Sequence, residues 1–153
     1  QDVSELFTNA GANSNAFTTF DKTCFYFSTI DHLNENLDLL QHFVADTAFT
    51  DESIEREKSI ISQEIDMYQD DADYRLYQGI LENLYPQTAL AQDIAGTQES
   101  IANISVVDLK ENHDVFYSPQ EMTLLVVGNF DKEDIFKQIQ ESQKEKNKDS
   151  SSS

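Results

Sequence analysis

Two glutamates, Glu57 and Glu64, stand seven residues apart in the stretch of the sequence with the strongest helical character. At about 100° per residue, they fall between two lines of apolar side chains on one side of the helix. The first line holds Ile54, Ile61, Ile65 and Tyr68, and the second holds Ile60 and Met67. The opposite side of the helix is polar, so we predict that both carboxylates point inward.

Inward carboxylates need an explanation, because burying an ionised carboxylate is costly unless a cation, a metal ion or hydrogen-bond donors compensate it. One explanation is structural: both glutamates lie at the rim of the core and meet an arginine, a lysine or backbone amides. The other is chemical: Glu57 and Glu64 face a metal ion or a catalytic site. Helix geometry alone leaves both explanations open.

The histidines and the single cysteine add little chemistry. The sequence HLNEN at 32–36 is one residue short of H-x-x-E-H, the inverted zinc-peptidase motif, because Asn36 stands where the second histidine is required. Catalytic zinc takes three protein ligands and an open water position, so we interpret this similarity as coincidence. His42 and His113 are interpreted as a helix-surface residue and a rim residue. Cys24 is interpreted as a core or strand residue, and a lone cysteine excludes an internal disulfide.

Composition limits the partners. The 153 residues suit one domain of ordinary size, and 39% hydrophobic residues favour a globular protein. The 29 acidic and 10 basic residues give a formal charge of −19, which repels nucleic acid and anionic membranes. We therefore expect neither as a partner, although this charge could favour cationic substrates.

The first residues do not look like a natural start. Gln1 is not an initiator, and the residues that follow begin in the middle of a helical pattern, so we expect this chain to be a piece of a longer protein. No apolar run approaches the ~20 residues of a membrane span, and no signal peptide is visible. These features favour a cytoplasmic location.

Periodicity and capping signals predict mostly helices. They indicate helices over 2–9, 32–45, from Thr50 to the acidic cluster at 70–73, 73–85, 98–102, 105–117 and from Asp131 to about 141. Aromatic and β-branched residues predict a hairpin of strands 15–20 and 23–28. The run 122–128 is the most apolar in the chain and predicts a central strand buried on both faces.

These elements predict an α+β fold, with an antiparallel or mixed sheet covered on one side by helices. We expect one domain over residues 1–141. The polar residues 142–153 are predicted to be a flexible tail.

Several short motifs, taken together, resemble the pitrilysin/insulinase family of inverted zincins. They are GANSNAFT at 11–18 followed by Thr23 and Tyr26-Phe27, Glu55-Arg56-Glu57 with Glu64, Ala95-Gly96-Thr97, Phe116-Tyr117-Ser118-Pro119 and Leu125-Val126-Val127-Gly128-Asn129. The resemblance covers nearly the whole chain in the order of the family. It implies the half-domain fold of mitochondrial processing peptidase and insulinase-like metallohydrolases.

The resemblance also implies roles for individual residues. In that family, zinc is held by the two histidines of H-x-x-E-H and by a glutamate on a later helix, which would be Glu64. Glu57 would support the catalytic site one face upstream. Asn15, Ala16 and Phe17 would lie on the strand that pairs with the substrate backbone. The H-x-x-E-H helix, with its general base, would fall upstream of Gln1.

The resemblance therefore implies a fragment of a zinc-dependent metalloendopeptidase that hydrolyses peptides bound as an extended strand. A second half-domain or partner subunit would close around the peptide. We expect the fragment alone to be inactive and to retain no zinc. Two alternatives remain: a non-catalytic relative that binds peptide or a partner subunit, and an acidic interaction module whose glutamates form core salt bridges. A Glu64 carboxylate turned to bulk solvent, or lying far from the first strand of the hairpin, would contradict the peptidase hypothesis.

Overall fold

A computed structural model describes residues 3–149, with side chains described for residues 3–144. Within this range the chain forms seven α-helices, two β-strands and a short 3-10 helix. In chain order these are α1 (Val3–Asn9), β1 (Ala12–Thr18), β2 (Thr23–Thr29), α2 (Leu33–Ala45), α3 (Asp51–Asp70), α4 (Ala72–Leu84), the 3-10 helix (Ala89–Ala91), α5 (Gln98–Ala102), α6 (Val106–Phe116) and α7 (Lys132–Asp149). The predicted α+β class is confirmed.

The chain divides into two compact units. Among the described residues, the first unit comprises 3–17, 24–46 and 122–149, and the second comprises 18–23 and 47–121. The first unit therefore holds both strands of the hairpin except its tip, together with α1, α2 and α7. The second unit holds α3 to α6.

Aromatic contacts fasten the hairpin of the first unit to its helices. The ring of Phe27 stacks on Phe7 of α1 at a centroid distance of 5.8 Å. The ring of Phe25 meets Phe43 of α2 edge to face at 5.7 Å. Phe7 and Leu37 are almost completely buried, so the core of this unit lies between the hairpin and its two helices.

The turn of the hairpin sets its register. The Thr19 backbone N–H donates to the Lys22 carbonyl at 2.8 Å, and the hydroxyls of Thr18 and Thr23 lie 3.2 Å apart. Antiparallel ladders alternate hydrogen-bonded pairs with non-hydrogen-bonded pairs. Thr18 and Thr23 therefore form a non-hydrogen-bonded pair, and even-numbered residues of β1 direct their backbone groups away from β2.

The contact between α2 and α7 in the first unit is unusually polar. The Gln138 side-chain amide donates to the Asn34 carbonyl at 2.7 Å, and that of Gln143 donates to Gln41 Oε1 at 3.3 Å. Gln138 Oε1 and the Ser142 hydroxyl are buried without a hydrogen-bond partner among the described residues. Two polar atoms thus lose water at this contact and gain no replacement.

Capping begins α3 in the second unit, as the sequence predicts. The Thr50 hydroxyl accepts from the Ser53 backbone amide at 3.2 Å, and the Ser53 hydroxyl closes a capping box. The Lys58 ammonium donates to Glu55 at 2.8 Å and to the Ala102 carbonyl at the end of α5 at 3.2 Å. This contact holds the short helix α5 against α3.

The loop after α4 is tied back to that helix. The Gln78 side-chain amide donates to the Ala91 carbonyl at 3.1 Å. The Tyr74 phenol donates to Asp93 Oδ1 at 2.6 Å, and the same oxygen accepts the backbone amide of Ala95 at 2.9 Å. Side-chain hydrogen bonds therefore fix this loop, which contains the 3-10 helix, against α4.

The prediction of a central strand at 122–128 is wrong for the described residues, where the sheet contains β1 and β2 only. The exposed fraction is 81% for Leu125 and 86% for Val127. A strand buried on both faces requires neighbouring strands and covering helices, and a run of apolar residues cannot supply them by itself. The run is apolar, as its composition indicates, but no strand within residues 3–149 pairs with it.

The C-terminal helix is longer than the sequence predicted. Helix α7 continues to Asp149, so residues 142–149 are helical where a flexible tail was expected. Glutamate, lysine and glutamine dominate this stretch and have good helix propensity, which explains the extension. Residues 150–153 of the predicted tail, and Asp2 of the first predicted helix, lie outside the described residues.

Candidate functional site

Both glutamates singled out in the sequence lie on the exposed side of α3. Glu57 and Glu64 are exposed, and the residues between and beside them on the same stripe, Ile60 and Met67, are 46% and 60% exposed. Seven residues of helix place the two α-carbons about 10 Å apart along the axis. The stripe therefore alternates carboxylates with apolar side chains.

The prediction that Glu57 and Glu64 point inward is wrong for this chain. Helix α3 buries one apolar line, through Ile54 and Ile65, and leaves the second line in solvent. The sequence shows two apolar lines but not which of them has a covering neighbour. Since the glutamates lie toward the uncovered line, the argument from the cost of burial does not apply to them. The condition that Glu64 be turned away from bulk solvent is not met within the described residues.

The two carboxylates are also unpaired. Among the side chains that the structure describes, no ion pair or hydrogen bond involves Glu57 or Glu64. The nearby cation of Lys58 is bound to Glu55 instead. The alternative of rim salt bridges is therefore not what the structure shows. Both carboxylates are therefore available to accept a hydrogen bond or to coordinate a metal ion.

Zinc does not fit the described residues alone. Catalytic zinc takes three protein ligands, and nowhere in the described part of the chain do three or more histidine, cysteine, aspartate or glutamate side chains converge. His32 adopts a left-handed conformation with φ of 54°, and its Nδ1 lies 3.7 Å from the exposed carboxylate of Glu35. Glu64 can therefore offer one carboxylate ligand, and the described residues do not complete a zinc site around it.

The second candidate region is the outer edge of β1. Asn15, Ala16 and Phe17 are exposed, and no strand among the described residues pairs with this edge. The Phe17 ring, 48% exposed, meets the Tyr26 ring at a centroid distance of 6.2 Å. The edge thus has no partner strand among the described residues and lies beside an exposed aromatic pair, which is chemistry suited to an extended peptide.

The structure places these candidates in different units. Asn15, Ala16 and Phe17 belong to the first unit, whereas Glu57 and Glu64 belong to the second. Within each unit the candidates share one surface: a strand edge in the first unit and a helix stripe in the second.

Asp93 is a loop-ordering residue that sequence reasoning missed. Its carboxylate organises the loop that leads to Gly96, where φ is +78°. An aspartate side chain that accepts a hydrogen bond from the backbone N–H two residues later forms an Asx turn. Such a turn is a recognisable local signal in a sequence. The position of Asp93, two residues before Ala95-Gly96-Thr97, is therefore the signal from which this role could have been predicted.

Family comparisons agree with the motifs. The model described as Insulinase (Peptidase family M16) matches residues 1–98, and the model described as Peptidase M16 inactive domain matches residues 103–152. Together the two matches cover nearly the whole chain in consecutive order. No helix within residues 3–149 combines the length and the apolar character needed to span a bilayer.

Individual proteins give the same result. The chain is 45% identical to the uncharacterized zinc protease YmfH of Bacillus subtilis (strain 168), over 95% of this chain and 34% of that protein. It is 29% identical to the uncharacterized zinc protease YmxG of the same organism, over 84% of this chain and 32% of that protein.

A solved structure is similar as well. The crystal structure of an M16-like peptidase from Alicyclobacillus acidocaldarius is 40% identical, with a TM-score of 0.89 over 94% of this chain and 34% of that chain. The chain thus spans about a third of the length of the relatives it matches. By these matches and by its fold, the chain belongs to the insulinase (M16) family of peptidases.

Proposed function

We propose that this chain is part of a zinc-dependent metalloendopeptidase that hydrolyses peptides bound as an extended strand. The observation that carries the proposal is the family match, which runs through almost the whole chain and includes relatives named zinc proteases. The exposed carboxylates of α3 and the open edge of β1 support it, because they offer the kinds of groups that a metal ion and a peptide backbone bind.

In this proposal Glu64 supplies one ligand to zinc. A carboxylate oxygen is a common zinc ligand, and the Glu64 carboxylate has no competing partner among the described side chains. When bound, zinc would act as a Lewis acid and lower the pKa of its water. The remaining ligands and the general base are expected in an H-x-x-E-H helix elsewhere in the complete polypeptide.

In this proposal Glu57 supports the site from a position seven residues before Glu64 on the same helix. It lies on the same stripe of α3 as Glu64, Ile60 and Met67. The apolar side chains of Ile60 and Met67 are exposed, which is unfavourable for apolar groups unless another surface covers them. We expect further polypeptide to cover the stripe in the complete protein. This covering polypeptide would shield the Glu64 carboxylate from bulk solvent, as the peptidase hypothesis requires.

Peptide binding would use Asn15, Ala16 and Phe17. An extended peptide can pair with the outer edge of β1 through main-chain hydrogen bonds, so its affinity depends only weakly on its sequence. A second half-domain or partner subunit would face this edge. The length of the relatives, about three times that of this chain, leaves room for such a half-domain.

A second candidate function is that of a non-catalytic family member that binds peptide or a partner subunit. The description of one matching model as an inactive peptidase domain, over residues 103–152, favours keeping this candidate. In either case the 153-residue chain alone should cleave nothing. The cytoplasmic location stays a prediction, which cell fractionation would test.

Peptidase assays on the complete polypeptide separate the two candidates. We expect cleavage of an unstructured peptide that a zinc chelator abolishes and added zinc restores. The variant Glu57→Gln should lower kcat/KM by about tenfold to a hundredfold, the range seen when a group that orients a metal ligand is lost. Glu111→Gln, at an exposed position of α6, serves as the control and should leave cleavage unchanged. Cleavage that persists after zinc removal would contradict the proposal, and absence of any cleavage would favour the non-catalytic candidate.

A further inference from the structure

The backbone N–H of Ala16 is already occupied in the structure. It donates to the side-chain Oδ1 of Asn15, its own neighbour, at 2.8 Å. The bond between Thr19 and Lys22 sets the register of the hairpin, so the backbone groups of even-numbered residues in β1 point toward the outer edge. The Asn15 carboxamide therefore occupies a donor that an added strand would use.

A free backbone donor at this position would favour unwanted pairing with other chains, because exposed apolar side chains surround it. Phe17 and Tyr26 are 48% and 45% exposed beside the same hairpin. Exposed strand edges with apolar neighbours pair with other chains, and proteins usually protect such edges. The related Asn13, on the same strand and also exposed, forms no side-chain hydrogen bond among the described contacts. Protection by a side chain is thus specific to one amide of the edge.

We propose that Asn15 guards the peptide-binding edge of β1. Without peptide, its carboxamide holds the Ala16 N–H, and when a peptide binds, a main-chain carbonyl of the peptide takes its place. The ligand class is an extended peptide recognised through its backbone. The inference deepens the proposed function and rests on it for the identity of the ligand, while the guarding contact is a property of this chain alone.

Guarding has a measurable effect on affinity. An exposed hydrogen bond between neutral groups contributes a modest net free energy, and it must be broken before the peptide carbonyl can bind. Removing the guard should therefore tighten peptide binding by about threefold to tenfold. Asn15 acts through the backbone of Ala16, so it is a positioning residue and not a catalytic one.

Amide hydrogen exchange tests the guard without any peptide. We expect the protection factor of the Ala16 amide, corrected for sequence, to fall by about threefold to tenfold in Asn15→Ala. It should be kept or increased in Asn15→Asp, which retains an acceptor and adds charge. The matched control Asn13→Ala should leave the Ala16 amide unchanged. Equal protection in Asn15→Ala and the unmodified chain would overturn the guard.

Peptide titration tests its consequence. The probe is a blocked decapeptide of alternating threonine and valine, followed through the amide chemical shifts of β1. Asn15→Ala should bind about threefold to tenfold more tightly than the unmodified chain, and Asn13→Ala equally well. Equal or weaker binding by Asn15→Ala would overturn the proposal.

The two measurements fail separately. If the decapeptide binds none of the variants, pairing with the β1 edge in the proposed function is contradicted, and amide exchange still decides whether Asn15 guards Ala16. If exchange shows no guard but the decapeptide binds, the proposed function stands and the role of Asn15 is refuted.

Discussion

One carboxylate oxygen of Asp93 accepts two hydrogen bonds, from the Tyr74 phenol at 2.6 Å and from the Ala95 amide at 2.9 Å. Burial of the phenol, then the bond to Asp93 and the negative charge of Asp93, raise the pKa of Tyr74 to about 12. At the scale of single residues, this contact links the first turn of α4 to the loop that precedes α5. It is the kind of polar contact whose contribution can be measured by removing one hydroxyl.

Replacing Tyr74 by phenylalanine should lower the free energy of unfolding by about 1 kcal/mol at neutral pH, because one side-chain hydrogen bond is lost while ring packing is kept. Urea denaturation measures the difference. Tyr77→Phe is the matched control, since Tyr77 lies on the same helix with its side chain exposed. An equal effect of both substitutions would show that the bond to Asp93 contributes nothing.

The same contact predicts a pH dependence. The pKa of Tyr74 is about 12 in the folded state and about 10 when unfolded, so its contribution is complete below pH 10. It is lost as the pH rises toward 12, because the unfolded state then releases the phenolic proton more readily. The stability difference between the unmodified chain and Tyr74→Phe should therefore shrink between pH 10 and 12. A difference that is constant across this range would contradict the assignment.

Ser142 offers a prediction of the opposite sign. Its hydroxyl is buried without a hydrogen-bond partner among the described residues, so removing it should stabilise the first unit. We expect Ser142→Ala to raise the free energy of unfolding by about 1 kcal/mol, including the better helix propensity of alanine.

Thermal and urea unfolding would measure this gain. Ser59→Ala on the exposed side of α3 is the control, because it changes propensity without relieving a buried hydroxyl. The gain from Ser142→Ala should exceed the gain from Ser59→Ala. If the two gains are equal, or if Ser142→Ala destabilises, the hydroxyl has a partner that the described contacts do not include.

At the scale of elements, helix starts were predictable because their signals are local. The caps at Thr50 and Ser105 appear in the structure as the sequence indicates, since each involves residues within one turn. Longer-range features were not predictable. Whether Glu64 points inward depends on which apolar line of α3 has a covering neighbour. Whether residues 122–128 form a strand depends on a partner strand.

The same reasoning applies to the candidate site. The hairpin was predicted from its aromatic and β-branched residues. The peptide-binding role of Asn15, Ala16 and Phe17 was implied by the family resemblance alone and stays a prediction. The bond between Asn15 and Ala16 was not predicted, because it requires a particular side-chain rotamer and the hairpin register. The loop role of Asp93 could have been found from its position before Ala95, but the pairing with Tyr74 is 19 residues distant in sequence.

The unpaired run at 122–128 makes a prediction at this scale. Its exposed apolar side chains and free backbone groups should cause the isolated chain to self-associate at high concentration. The double substitution of Leu125 and Val127 by lysine should lower the weight-average molar mass, measured by analytical ultracentrifugation, toward that of a monomer. Its melting temperature should stay within about 1 °C of the original, because both side chains are in solvent.

Replacing Leu37, which is almost completely buried, by alanine gives a contrasting control, since it should destabilise the first unit by about 2 to 5 kcal/mol. Strong destabilisation by the lysine substitutions as well would show that the run at 122–128 is packed and not exposed.

At the scale of the whole molecule, the chain presents two exposed surfaces that the proposed function assigns to partners. The stripe of Glu57, Ile60, Glu64 and Met67 belongs to one unit and the edge of β1 to the other. Relatives about three times as long contain the additional polypeptide that could complete both surfaces. The proposed peptidase therefore depends on assembly with residues outside this chain.

Zinc content of the complete polypeptide is the most direct test of this account. After dialysis against trace zinc, we expect about one zinc per polypeptide for the unmodified protein and for Glu111→Gln, and a loss of most of the metal for Glu64→Gln, since zinc would lose one of three protein ligands. Full zinc occupancy in Glu64→Gln would contradict the central claim that this exposed carboxylate of α3 is a metal ligand.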